Sequence, residues 1–154
     1  MKLRTLWMTC MMVIGLTWTT YAATWSDTNL PGGLPTGWSI QELSLSESPM
    51  FGLGNSKDPD FEGAVAIIPP KEITGSFKGA IDELAKGYDG VNNKRTSKQY
   101  GTTVIEIIQF ENGLYFYFAE YKGTYYYFYL INKKTKQGDA YQDEFFGHVF
   151  GPAK

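Results

Sequence analysis

The residues able to do chemistry are few. The 154 residues hold one cysteine, Cys10, and one histidine, His148, so neither a disulfide framework nor a Cys/His metal site can be assembled. Asp58, Asp60 and Glu62 ahead of Gly63 have the D-x-D-x-E-G spacing of the first half of a calcium loop, in which alternate carboxylates before a glycine turn converge on one cation. The second half fails: the twelfth position, which needs a bidentate Glu, is Pro69, and an apolar run lies between. A polar loop is the better reading of 58–62, and no metal or cofactor is expected. His148 stands beside Gly147 without a Ser, Cys or Asp motif to orient it, which makes it a structural residue and not part of a triad. Glu106 and Glu120 are a carboxylate pair that adjacent strands could bring together, but glycosidase chemistry depends on a separation that a sequence does not give. There is no nucleophile elbow, phosphate loop or dinucleotide fingerprint, so the chain reads as a non-enzyme.

What stands out instead is tyrosine. Between Phe110 and Tyr129, 11 of 20 residues are Phe or Tyr, side chains favoured both in strands and at recognition surfaces. Asn112-Gly113 is a strong signal for a two-residue hairpin turn, which places strands over Thr102 to Glu111 and Leu114 to Glu120. The next turn, Tyr121-Lys122-Gly123, reads as a three-residue loop with Gly123 left-handed, followed by a strand from Thr124 to Ile131. An odd loop would sort the rings. Leu114, Phe116, Phe118, Tyr126, Phe128 and Leu130 would share one face, and Tyr115, Tyr117, Tyr125, Tyr127 and Tyr129 the other; a two-residue loop would mix them. The five tyrosines are then either covered by a helix or loop, with hydroxyls reaching the rim, or they form an open surface for a partner. They are the candidate binding residues.

The elements that would hold this meander read less evenly. Trp38 to Leu45 is a first strand of partial alternation, and a short strand is expected around Phe51 to Gly54. Phe61 to Ile68 is an apolar run stopped by Pro69-Pro70, as a buried strand would be. Phe77, Ala80, Ile81, Leu84, Ala85 and Tyr88 lie on one face of a helix that Ser76 caps and Gly87 or Gly90 closes. On its other face Lys78, Asp82 and Lys86 are spaced as solvated pairs. Asp139 to Phe150 is a second helix, with Asp139 and Gln142 placed for a capping box.

Lys2 and Arg4, the apolar run from Leu6 to Leu16 and the small residues of Thr20-Tyr21-Ala22 form a secretory signal peptide over residues 1–22, cleaved near Ala22 or Ala23. The apolar run is shorter than the ~20 residues a membrane-spanning helix needs. Residues 23–37 are then an extended lead-in and 38–151 a single domain in the periplasm or outside the cell. With Lys2 and Arg4 gone, the net charge falls from −2 to roughly −4, and Arg95 is the last arginine, which argues against nucleic acid as a partner.

The order of features, Leu34-Pro35-Thr36-Gly37-Trp38, a buried strand ending in Pro69-Pro70, an amphipathic helix, an antiparallel meander and a C-terminal aromatic helix, resembles the PsbP-like superfamily over about residues 34 to 151. The resemblance implies an accessory or binding protein and carries over no site residue. The expected fold is α+β, a twisted antiparallel β-sheet of five to seven strands with two helices packed on it. The expected function is noncatalytic protein binding through the tyrosine face or its loops, an immunity protein against a basic secretion-system effector being one case, since an acidic chain suits a basic partner. A small-ligand or lipid-binding module and a carboxylate-dependent hydrolase are the alternatives from other classes.

Overall fold

A computed structural model describes residues 20–21, 23–43, 49–86 and 92–154. Most of the expected leader, the end of the first expected strand, and Gly87, Tyr88 and Gly90 of the first expected helix lie outside these ranges. In chain order the strands are β1 (Thr20–Tyr21), β2 (Trp38–Leu43), β3 (Met50–Asn55), β4 (Phe61–Ile68), β5 (Asn93–Tyr100), β6 (Thr103–Phe110), β7 (Tyr115–Tyr121) and β8 (Thr124–Asn132). Helix α1 (Phe77–Lys86) joins β4 to β5, and α2 (Gln142–Phe150) follows β8.

All strands belong to one sheet of order β1-β2-β3-β4-β8-β7-β6-β5, and every neighbouring pair is antiparallel. Two meanders therefore meet along β4 and β8, from Phe61↔Asn132 to Ile68↔Tyr125. The near-continuous apolar sequence of β4 suits that central place, because a strand covered on both faces needs no polar alternation. The α+β class is the one expected, with eight strands against the expected five to seven. β5, by contrast, reads NKRTSKQY and carries no apolar period; it is a strand because β6 pairs with it along its whole length.

The helices lie on opposite faces. On one, Ala80, Ile81 and Leu84 of α1 pack on Ala64, Ala66, Ile108, Phe116, Phe118, Tyr127 and Tyr129. On the other, Phe145, Phe146 and Val149 of α2 pack with Trp38, Val65, Ile105, Tyr117, Tyr126 and Phe128. Each of those three α2 side chains is worth about 1.5–3 kcal/mol of burial. The lead-in joins this second core. Trp25–Thr28 forms a 3-10 turn, Leu30 is buried, and the Trp25 ring meets Phe145 edge-on at 6.3 Å.

Both hairpin turns differ from expectation, and they do so by exchanging lengths. The Phe110 N–H donates to the Leu114 carbonyl and Gly113 N–H to Phe110, so Glu111-Asn112-Gly113 is a three-residue loop with Gly113 at φ +86°. Tyr121 pairs with Thr124, leaving Lys122-Gly123 as a two-residue turn with both φ positive, +48° and +78°. Such a turn matches the twist of its strands even with a lysine in the first position. The register is thus Phe116↔Tyr129, Tyr117↔Phe128 and Phe118↔Tyr127, one residue from the sorted arrangement. The physical reason is the second layer: with a helix on each face, both sides of the meander are core, and nothing rewards gathering hydroxyls to one of them.

Local signals were partly redirected. Ser76 Oγ accepts the Gly79 N–H at 3.0 Å and caps α1 as expected. The Asp139–Gln142 capping box does not form: Asp139 opens a 3-10 turn after Gly138, and the Gln142 amide donates to the Tyr100 hydroxyl at 3.0 Å. Asp82 pairs not with Lys78 or Lys86 but with Arg95 across on β5.

Candidate functional site

The five candidate tyrosines do not form one surface. Tyr115 and Tyr117 lie on the α2 side, stacked at 6.2 Å, and Tyr117 is fully buried with its hydroxyl donating to the Gly138 carbonyl at 2.9 Å. Burial pushes the Tyr117 hydroxyl pKa far up. Tyr125, Tyr127 and Tyr129 lie on the α1 side; Tyr127 and Tyr129 are buried, and the Tyr125 ring packs on Phe77 at 4.6 Å. The five rings are therefore split between the two faces of the sheet and make no common docking face, contrary to the expected sorted register. Both sides of the meander are filled where these rings lie.

An open cleft of about 830 Å³ lies between the first turns of α1 and the adjoining ends of β6 and β7. Ser76, Phe77, Lys78 and Ile81 supply the helix wall, Thr102, Val104, Glu106, Phe118 and Glu120 the sheet side, and Lys122 the rim. There the α1 side of the sheet turns polar, Ile108 and Phe118 giving way along their strands to Glu106 and Glu120. Val104, 46% exposed, is the one large hydrophobic side chain left open among the described residues.

The register brings the two glutamates together. Glu106 lies opposite Phe118, so Glu120 is its diagonal neighbour on the same face, about 7–8 Å away by strand spacing. Their surroundings differ. Arg95 reaches from β5 to pair with Asp82 of α1 and, at 3.3 Å, with Glu106, while its Nε is buried without a hydrogen bond. Glu120 is exposed and makes no ion pair among the described residues. One carboxylate is thus held by a guanidinium and the other is free to meet a visitor.

The other acidic candidates are spoken for. Asp58 accepts the Tyr141 hydroxyl at 2.5 Å and the Asp60 N–H at 2.9 Å, and Asp60 pairs with Lys134 at 2.8 Å. The Tyr141 bond holds the Asp58 carboxyl below its usual range, while burial and that carboxylate push the Tyr141 hydroxyl up to about 12. Glu62 is half-buried in β4, and burial raises its carboxyl. Asp58 and Asp60 of the D-x-D-x-E-G run take separate partners, and among the described residues no three His, Cys, Asp or Glu side chains are placed to hold one metal ion. His148 sits on the outer side of α2, exposed, not packed as a structural histidine would be.

Sequence reasoning missed one polar cluster. Lys98 and the buried Tyr100 of β5 both bond Asp143 of α2, the former at 2.7 Å, and hold its carboxyl below the ordinary range. Asp143 stands 45 and 43 residues from Lys98 and Tyr100, which lie on a strand without a periodic signal, so no local pattern could have shown the cluster.

No protein-family model, no curated protein and no solved structure matches this chain. Among the described residues no helix is long and apolar enough to cross a membrane.

Proposed function

We propose that this chain is a noncatalytic protein-binding domain that works in the periplasm or outside the cell after its leader is removed near Ala22, and that it grips a basic partner in the cleft beside α1. The observation carrying this reading is the exposed Val104 next to the free Glu120 and the Arg95-held Glu106 in one concavity. An arginine or lysine of the partner would lay its aliphatic stem on Val104 and its charge on Glu120. An immunity protein that blocks a basic secretion-system effector is the special case that size, acidity and export favour. A PsbP-like relationship is proposed on the order of elements alone.

Two other readings are weaker. A small-ligand or lipid module would need a closed apolar pocket behind the tyrosines, where helices and lead-in already fill the space. A hydrolase using Glu106 and Glu120 has its two carboxylates in one cleft, but the guanidinium of Arg95 occupies the first.

The test is an NMR titration with three five-residue peptides of alternating Leu with Arg, Glu or Ser. The arginine peptide should shift the backbone amides of 102–106 and 118–123 and lose at least about tenfold in affinity to Glu120→Lys or Val104→Asp. Equal response to the glutamate peptide, or none to any, would overturn the cleft as the contact.

A further inference from the structure

We propose that the outer edge of β5 receives an acidic, extended segment of a partner protein as an added antiparallel strand. β5 ends the sheet, so half of its backbone groups have no strand to bond among the described residues. Which half is fixed by two bonds: the Gln99 carbonyl accepts the Lys154 N–H at 3.0 Å, and the Gly101 N–H donates to the Pro152 carbonyl at 3.0 Å. Around them Tyr100 bridges Ala153 in antiparallel sense. Pro152 to Lys154 thus make a single bridge at the Tyr100 end of that edge. By alternation the N–H and C=O groups of Ser97 and Arg95 also point outward, and those of Thr96 and Lys98 point to β6.

The chemistry of the occupant follows from the side chains beside that edge. Residues 93–100 carry Lys94, Arg95 and Lys98 and no carboxylate. Lys94, exposed, has no ion-pair partner among the described residues, and Lys98 shares the open Asp143, whose side chain is 70% exposed. An incoming strand sets its side chains about 5 Å from those it faces. Carboxylates at alternate positions on the α2 side would meet Lys94 and Lys98. A second copy of this chain suits the edge less: pairing β5 with itself about Arg95 puts Arg95 on Arg95, pairing about Thr96 puts Lys94 on Lys98, and pairing about Ser97 puts Arg95 on Gln99, whose carbonyl already accepts the Lys154 N–H. Affinity would come from main-chain bonds and selectivity from charge, the mode of strand addition.

The probe is a labelled seven-residue peptide alternating Glu with Val, read by fluorescence anisotropy and by amide exchange. Expected is saturable binding that weakens at least tenfold between low and about 0.3 M salt, where screening shortens to a few ångströms. Exchange at Arg95 and Ser97 should slow at least tenfold while Thr96 and Lys98, bonded to β6 already, stay unchanged. Ser97→Pro removes one outward N–H, spares the β6 ladder and should abolish binding; Lys94→Glu, which leaves the backbone untouched, should weaken it about tenfold. The proposal is overturned if the peptide does not bind, if a Lys-for-Glu peptide binds equally, if protection falls on Thr96 and Lys98, or if the free protein sediments as a dimer that Ser97→Pro dissolves. Glu120→Lys in the cleft should leave this binding intact, so the two contacts succeed or fail separately.

Discussion

Replacing Tyr126 by Phe removes one oxygen atom and tests the corrected register, the role of the lead-in and the accounting of buried hydroxyls together. Tyr126 lies on the α2 side of β8, fully buried, and its hydroxyl donates to the Thr28 carbonyl at 2.8 Å, 98 residues back in the chain. Thr28 is itself fully buried and holds its own turn closed, donating to the Trp25 carbonyl at 2.7 Å and accepting the Leu30 N–H at 3.2 Å. A buried hydrogen bond contributes about 0.5–1.5 kcal/mol net, but an acceptor left without its donor costs about 1–3 kcal/mol. The substitution leaves the carbonyl in place, so the larger figure applies unless the turn opens to water. For a domain of this size that is a fall in Tm of about 3–10 °C. Tyr125→Phe is the control, since Tyr125 is half-buried against Phe77 and should change stability by less than about 0.5 kcal/mol. Thermal melting followed by near-ultraviolet circular dichroism gives the stability, and amide exchange at residues 25–30 shows whether the lead-in loosens. The sorted register would place Tyr126 among plain hydrocarbon and reverse the ranking. A cost below about 0.5 kcal/mol for Tyr126→Phe with exchange at 25–30 unchanged, or an equal cost for Tyr125→Phe, would refute the buried Tyr126–Thr28 bond as the anchor of the lead-in.

Lys122→Asn should stabilise the β7–β8 hairpin by about 0.5–1 kcal/mol in urea unfolding, because Asn tolerates the left-handed conformation better than Lys; no gain would argue for the three-residue loop. Two glycine substitutions should differ in sign. Gly101→Ala puts a Cβ 2.0 Å from the Phe150 carbonyl oxygen at φ +58° and should cost at least about 2 kcal/mol, whereas Gly147→Ala meets nothing within 4 Å inside α2 and should gain about 0.5–1 kcal/mol. Asp58 and Asp143 have folded pKa values below the ordinary 3.8, so the stability they add is present above that value and is lost as pH falls through the folded pKa. Asp143→Asn should therefore flatten the acid side of a stability–pH curve below about pH 4. Glu62, raised by burial from 4.5, acts in the opposite sense: its contribution is lost as pH rises through the folded pKa, and Glu62→Gln should remove that decline.

The parts of the fold legible in the sequence were those whose signal is carried by neighbouring residues. Phe61–Ile68 announces a buried strand through its own composition and the prolines behind it, and Phe77–Lys86 announces a helix through its spacing and Ser76. β5 could not be read this way, because its strand character is lent by β6 and its polarity reflects an edge position that only the topology creates. The Asp139–Gln142 box was a sound local signal that a distant hydroxyl, Tyr100, outbid. Of the site, Glu106 and Glu120 were visible as carboxylates on adjacent strands, but Arg95, which sets them apart, belongs to the strand that left no trace.

The two turn lengths are where local and global preference separate, and they set the faces on which the tyrosines lie. Asn112-Gly113 fits a two-residue turn, yet the chain uses its glycine as the left-handed end of a three-residue loop and spends the two-residue turn on Lys122-Gly123. Either choice is cheap, a matter of about 1 kcal/mol in a single turn. The rings that turns distribute are not cheap: moving the β8 register by one residue would take Phe128 from its contacts with Phe145 and Phe146, at 5.7 and 5.1 Å, and bring the Tyr127 ring there instead. Packing of α2 therefore selects the register, and the turns accommodate it. A meander dense in tyrosine is on this view a core built from both sides, and recognition is left to the places where the helix layer stops or the sheet ends, the cleft at Val104 and the edge at Arg95 and Ser97.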